Sequence, residues 1–119
     1  MSKKILIIDD DVDLSMQMAE VLQDEGHEVE SRLYNYESLP DFRPEDYDII
    51  ILDFKMPDIS GVDILKSIKK DDLKAKIFIV SGRPFIEKIL KEENLISMVS
   101  EIMPKPFPIQ ILLDKINNS

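Results

Sequence analysis

Reactive side chains follow short apolar runs at four places in the sequence. Asp9, Asp10 and Asp11 come directly after Ile5-Leu6-Ile7-Ile8, and Asp53 directly after Ile49-Ile50-Ile51-Leu52. Ser81-Gly82 follows Ile77-Phe78-Ile79-Val80, and Lys105-Pro106 follows a weaker apolar stretch near the end. Taken singly, each has an ordinary explanation: an Asp caps a helix or closes a turn, a Ser sits in a loop, a Lys faces water. Taken together they bring carboxylates, a hydroxyl and an ammonium to the ends of strands. Carboxylates a few ångströms apart raise one another's pKa unless a cation lies between them. Oxygen ligands without His or Cys suit a hard divalent ion, Mg²⁺ foremost and Mn²⁺ as an alternative. A carboxylate beside such an ion can act as nucleophile toward a phosphoryl group. The ion, the ammonium and the hydroxyl can then each meet an oxygen of that group.

The elements that must position these residues are legible in the apolar pattern. The runs at 5–8, 49–52 and 77–80 are rich in β-branched residues and read as strands buried on both faces. His27 to Arg32 alternates weakly, as an edge strand does, and Ser97 to Met103 is the faintest strand signal. Leu14, Met18, Val21 and Leu22 lie on one face of a helix that Gly26 ends, with Asp13 expected as its N-cap. Tyr34 to Leu39 is expected as a short helix stopped by Pro40, and Pro40 to Pro44 as a loop. Ile64, Leu65 and Ile68 mark a third helix. Ile86, Ile89 and Leu90 mark a fourth, with Pro84 near its start. Ile109, Leu112, Leu113 and Ile116 mark the last. Strand and helix thus alternate five times, which predicts an α/β fold: a single doubly wound (βα)₅ domain with a five-stranded parallel sheet in the order 2-1-3-4-5. Ligands in such sheets bind beyond the carboxyl ends of the strands, beside the first and third.

Composition removes other chemistries. The 119 residues suffice for one domain with a real core. With 15 Lys and Arg against 24 Asp and Glu, the net charge is −9. So acidic a chain repels nucleic acid and suits a cation or a basic partner. There is no Cys and one His, His27, which excludes thiolate zinc sites, Cys nucleophiles and His-rich metal sites. Three glycines, Gly26, Gly61 and Gly82, cannot build a glycine-rich phosphate loop. Nothing approaches the ~18 apolar residues of a membrane span. The apolar start is too short for a secretory signal, so a cytoplasmic location is expected.

Ile5-Leu6-Ile7-Ile8-Asp9-Asp10-Asp11, Ile51-Leu52-Asp53-Phe54-Lys55-Met56-Pro57-Asp58-Ile59-Ser60-Gly61, Val80-Ser81-Gly82 and Lys105-Pro106-Phe107 resemble the receiver domain of bacterial response regulators, over essentially the whole chain. The resemblance implies a flavodoxin-like fold and a phosphoacceptor in a two-component phosphorelay. Asp53 would take the phosphoryl group from a sensor histidine kinase or a phosphotransfer protein. Asp9 and Asp10 would form the acidic pair, with Asp10 the direct Mg²⁺ ligand, and Asp53 and the Lys55 backbone carbonyl would complete the protein's share of the metal shell. Ser81 would bond a phosphoryl oxygen, and Lys105 would pair with the group across a cis bond to Pro106. Pro57 and Gly61 would shape the loop into the third helix, and Asp11 would lie at the surface. The domain would catalyse only its own phosphorylation and dephosphorylation, and would switch a protein-binding surface. Residues 1–119 would form one receiver domain with no output domain in this chain. It would be a monomer or a phosphorylation-dependent dimer, with no direct contact to nucleic acid or membrane.

One position departs from the family's pattern, and two more flank the site. An aromatic residue usually stands three before the Lys and rotates on activation; here it is Ile102. Lys55 and Arg83, two residues after Asp53 and Ser81, are both long cations at positions that tune the access of water, and they are expected to screen the phosphoryl group. Two rivals follow. An aspartate-nucleophile phosphatase resembling the haloacid dehalogenases needs a second Asp where Lys55 stands. A receiver-like interaction module independent of phosphorylation remains open because of Ile102.

Overall fold

The computed structural model describes residues 2–119, apart from the side chain of Asp72; Met1, where the expected domain begins, lies outside the described residues. Five parallel strands form one sheet, β1 (Lys4–Ile8), β2 (Glu28–Ser31), β3 (Ile49–Asp53), β4 (Lys76–Ser81) and β5 (Val99–Pro104). Their order is β2-β1-β3-β4-β5, as the sequence predicts. Four α-helices flank it: α1 (Val12–Asp24), α2 (Gly61–Lys66), α3 (Ile86–Glu92) and α4 (Ile109–Asn117).

Side chains alternate across a strand, and here both faces are apolar. Ile5, Ile7, Ile49, Ile51, Phe78 and Val80 point to the side covered by α1 and α4, where Met18, Leu22, Leu112 and Ile116 meet them. Leu6, Ile8, Ile50, Leu52, Ile77 and Ile79 point to the other side, against Ile64 and Leu65 of α2 and Ile86 and Leu90 of α3. Each such side chain, fully buried, contributes about 1.5–3 kcal/mol relative to exposure, so the central strands are rigid anchors for whatever follows them.

Two local expectations are corrected. Tyr34–Leu39 is not a helix. The Asn35 N–H donates to Ser38 Oγ at 3.0 Å and the Ser38 N–H to Asn35 Oδ1 at 2.8 Å, so side chains capture donors that a helix would use. Pro40 forbids further helical bonding, and the connection contains only two 3₁₀ turns, Leu39–Asp41 and Pro44–Asp46. Three aromatic side chains, Tyr34, Phe42 and Tyr47, seal this part of the sheet instead, the first two with ring centroids 5.2 Å apart. The sheet is therefore covered by four α-helices and this crossover, not by five helices. The second correction concerns α1: its N-cap is Asp11, whose Oδ1 accepts from the Leu14 N–H at 3.1 Å, and Asp13 lies in the first turn.

Gly61 opens α2, and its role is close approach. A Cβ there would stand 2.7 Å from Phe54 Cδ1 and 2.9 Å from Phe54 Cα. Phe54 is buried and follows Asp53 directly, so it cannot yield without moving the strand end. Gly61→Ala is expected to destabilise the protein by about 1–3 kcal/mol, the range for overpacking a tight contact; urea unfolding measures it, and an unchanged midpoint would contradict this account.

Candidate functional site

The carboxyl ends of β1 and β3 are neighbours, with Ile8 paired to Leu52. This register sets Asp9 beside Asp53, the last residue of β3. Both are about 5% exposed, while Asp10, one residue on, is exposed. One oxygen each from Asp9, Asp10 and Asp53 lie within 4.8 Å of one another.

Asp9 is fully engaged. Its Oδ1 accepts from the Asp11 N–H at 2.9 Å, and its Oδ2 accepts from Lys105 Nζ at 2.8 Å. Its carbonyl accepts from Ser15 Oγ at 3.2 Å. Ser15 is a residue that pattern reading missed; its one sequence signal is a polar side chain on the buried face of α1. The same Lys105 Nζ lies 3.7 Å from Asp53 Oδ2. Lys105 reaches this point because its N–H donates to the Ser81 carbonyl at 2.8 Å. That bond ties the loop after β5 to the end of β4, and the Lys105-Pro106 peptide is cis.

One ammonium does not neutralise three carboxylates. Burial and the neighbouring Asp9 charge push the Asp53 carboxyl up to about 7, with Lys105 opposing and a hydrogen bond to Asp10 adding to the rise. Burial works against the Lys105 charge, yet its Asp9 bond and the Asp53, Asp9 and Asp11 charges leave its pKa raised. The donor set is all oxygen and short of positive charge, which fits a hard divalent cation.

Ser81, 3% exposed, ends β4, and its Oγ accepts from the Arg83 N–H at 3.0 Å. The Lys55 N–H donates to Asp53 Oδ1 at a long 3.4 Å, and Lys55 is bridged to Ser60 across the turn that contains Pro57. The site thus gathers Asp9, Asp10, Asp53 and Lys105, with Ser81 joined through the backbone. It does not gather the side chains of Lys55 and Arg83, which are exposed. Ile102, in the middle of β5, pairs with Ile79 and packs against the core.

The sequence matches the response regulator receiver domain over residues 5–117. The chain belongs to the response regulator receiver family. It is 31% identical over 114 residues to the cell cycle response regulator CtrA of Brucella ovis, covering 96% of this chain and 48% of that protein. The chain therefore spans about half the length of the curated relatives it matches. Among solved structures it is similar to the chemotaxis response regulator CheY4 of Vibrio cholerae, with TM-score 0.80, 27% identity and coverage of 99% and 98% of the two chains. It is also similar to the BeF3-activated DrrB receiver domain, with TM-score 0.77, 26% identity and coverage of 99% and 97%. As a receiver of two-component systems it is a signalling domain, and the acidic pocket at Asp9, Asp10 and Asp53 fits that family. Among the described residues, no helix is long and apolar enough to cross a membrane.

Proposed function

We propose that this receiver domain accepts a phosphoryl group on Asp53 from a phosphohistidine, carried by a sensor histidine kinase or a phosphotransfer protein. The observation that carries this reading is the pocket itself: three carboxylates clustered at the neighbouring ends of β1 and β3, with one ammonium paired to two of them. The ionised Asp53 carboxylate attacks phosphorus as an Oδ–P bond forms and the donor's N–P bond breaks. The electron pair leaves with the imidazole, which takes up a proton. Asp10, exposed and beside Asp53, is the direct ligand for Mg²⁺ or Mn²⁺. Asp9, with both oxygens already bonded, holds Lys105 and shapes the pocket. Asp53 and the Lys55 backbone carbonyl complete the protein's share. When bound, the dication supplies the positive charge that the carboxylates and the incoming oxygens require. Lys105 pairs with the phosphoryl group, and the Ser81 hydroxyl turns from the Arg83 N–H to donate to one of its oxygens. The new charge shifts the population of a protein-binding surface. Residues 1–119 act as one such unit in the cytoplasm, as a monomer or a phosphorylation-dependent dimer.

Intact-mass spectrometry after incubation with acetyl phosphate and Mg²⁺ tests this. One phosphoryl group is expected on the wild type, none on Asp53→Asn, and none in EDTA. No gain from acetyl phosphate or from a phosphorylated histidine phosphotransfer protein would favour the phosphorylation-independent interaction module. Lys55 and Arg83 are assigned to shielding the phosphoaspartate from water. Lys55→Ala and Arg83→Ala are each expected to shorten its lifetime several-fold, followed as loss of the added mass. Unchanged lifetimes would leave both side chains in solvent with no part in hydrolysis.

A further inference from the structure

A second polar cavity opens at the amino ends of the strands, at the other end of the sheet from Asp53. It measures about 540 Å³, and Lys3, His27, Asp48, Lys74, Lys76 and Asn117 line it in part. Asp48 is the one acid among its lining residues. In a chain of net charge −9, a hollow with three lysines and one carboxylate is an exception. Charges farther off are screened beyond about 8 Å at physiological salt, so these local groups set the potential inside.

Backbone bonds hold the floor of the cavity in place. The Glu28 N–H donates to the Lys3 carbonyl at 3.0 Å, the Asp48 N–H to the Lys4 carbonyl at 2.8 Å, and the Lys76 N–H to the Asp48 carbonyl at 2.9 Å. The starts of β2, β1, β3 and β4 are thereby stitched into one row. Neighbouring strands lie about 4.8 Å apart, so the β1 and β4 sides of the hollow are about 10 Å apart.

The two sides offer different donors. On the β1 side, the Lys3 N–H donates to His27 Nδ1 at 3.1 Å. Burial, and after it the Lys3 charge, holds His27 below its ordinary pKa. A neutral ring that accepts at Nδ1 carries its one proton on Nε2. Among the described residues Nε2–H has no partner, and no buried side-chain nitrogen or oxygen lacks one, so Nε2–H opens to the cavity. Lys3 Nζ is already taken by the Ile116 carbonyl at 3.2 Å and by Ser119, and Asp48 Oδ2 by the Lys4 N–H at 2.8 Å. On the β4 side, Lys74 and Lys76 are exposed, and neither makes an ion pair among the described residues. Unpaired ammonium groups on one side and N–H donors on the other suit an anion with two charged centres.

We propose that this cavity binds a diphosphate group, with Lys74 and Lys76 on one phosphate and His27 Nε2–H and the Asn117 amide donating to the other. The assignment does not rest on the phosphoacceptor reading.

The chain has one His, so a single set of imidazole NMR signals reports on the cavity. The full chain carrying Asp53→Asn is titrated with pyrophosphate in EDTA, near pH 8 where the ring is neutral and at constant ionic strength. The variant and the chelator keep the acidic pocket from taking up phosphate. The His27 signals are expected to move and to saturate. K74Q/K76Q, which changes two exposed side chains, is expected to raise the half-saturation concentration about tenfold. K88Q/K91Q, which removes two exposed lysines of α3, is expected to leave it unchanged. ADP tells a nucleotide from free diphosphate: tighter saturation than with pyrophosphate assigns the nucleotide, equal or weaker saturation the free group. Signals that stay still, that drift without saturating, or that respond as well in K74Q/K76Q would overturn the proposal. An equal loss in K88Q/K91Q would overturn it in favour of general charge attraction. Inorganic phosphate saturating at the same concentration as pyrophosphate would overturn the two-centre assignment.

Discussion

Asp53→Asn is expected to be more stable than the wild type in metal-free buffer near pH 8, by up to about 4 kcal/mol at ~1.4 kcal/mol per pKa unit. The Asp53 carboxyl titrates at 3.8 when unperturbed and at about 7 in the folded protein, chiefly because burial and Asp9 oppose its charge. In that window the folded state holds a proton that the unfolded chain has released. Folding therefore takes up a proton, and raising the pH opposes it. The contribution is fully present below the unfolded pKa and is lost as the pH climbs through about 7. A neutral Asn carries no such dependence. Urea unfolding in EDTA should show the wild-type midpoint falling between about pH 4 and pH 8 relative to the variant, the two curves drawing together at the acid end. Mg²⁺ should close the gap at high pH by stabilising the wild type. Equal stability at pH 8 without metal would mean that the pocket tolerates its charges unaided.

Lys105→Met should act in the opposite direction. The substitution keeps most of the stem and removes the ammonium. The Asp9 side chain has no exposure, and Lys105 Nζ at 2.8 Å is its one cationic partner in the pocket described above. Removing one member of a buried pair leaves an uncompensated charge, typically a loss of about 3–5 kcal/mol. Part of that loss should return when Asp53 is also made neutral, because Lys105 Nζ serves both carboxylates. A double-mutant cycle by urea unfolding at neutral pH, in EDTA, measures both quantities. A loss under about 1 kcal/mol would mean that water already screens Asp9 as it does a surface pair.

The sheet was legible because its strands are short unbroken apolar runs, and such a run has few alternatives to burial on two faces. Asp9, Asp53 and Ser81 were legible for the same reason: each is the first polar residue after a run, so strand order alone sets them along one edge. Lys105 follows a weaker strand, and its placement depends on one backbone bond to Ser81. What the pattern misjudged lay between strands. Tyr34–Leu39 has residues that tolerate a helix, but Asn35 and Ser38 bond each other's backbone N–H groups. Asp11, rather than Asp13, caps α1 because the helix begins two residues earlier than its apolar stripe suggests.

The crossover between β2 and β3 has a consequence for how this domain breathes. Residues 33–47 keep Tyr34, Phe42 and Tyr47 packed, yet their backbone has only isolated turn bonds in place of a helical ladder. Side-chain order and amide protection are therefore uncoupled there. Each turn opens by breaking one or two bonds, without the cooperative unit that a helix provides. Solvent deuterium should enter this segment before it enters the helices on the opposite face, although its three aromatic rings are buried. Turn by turn, the stretch opens to a protease while the acidic pocket at the strand ends stays closed.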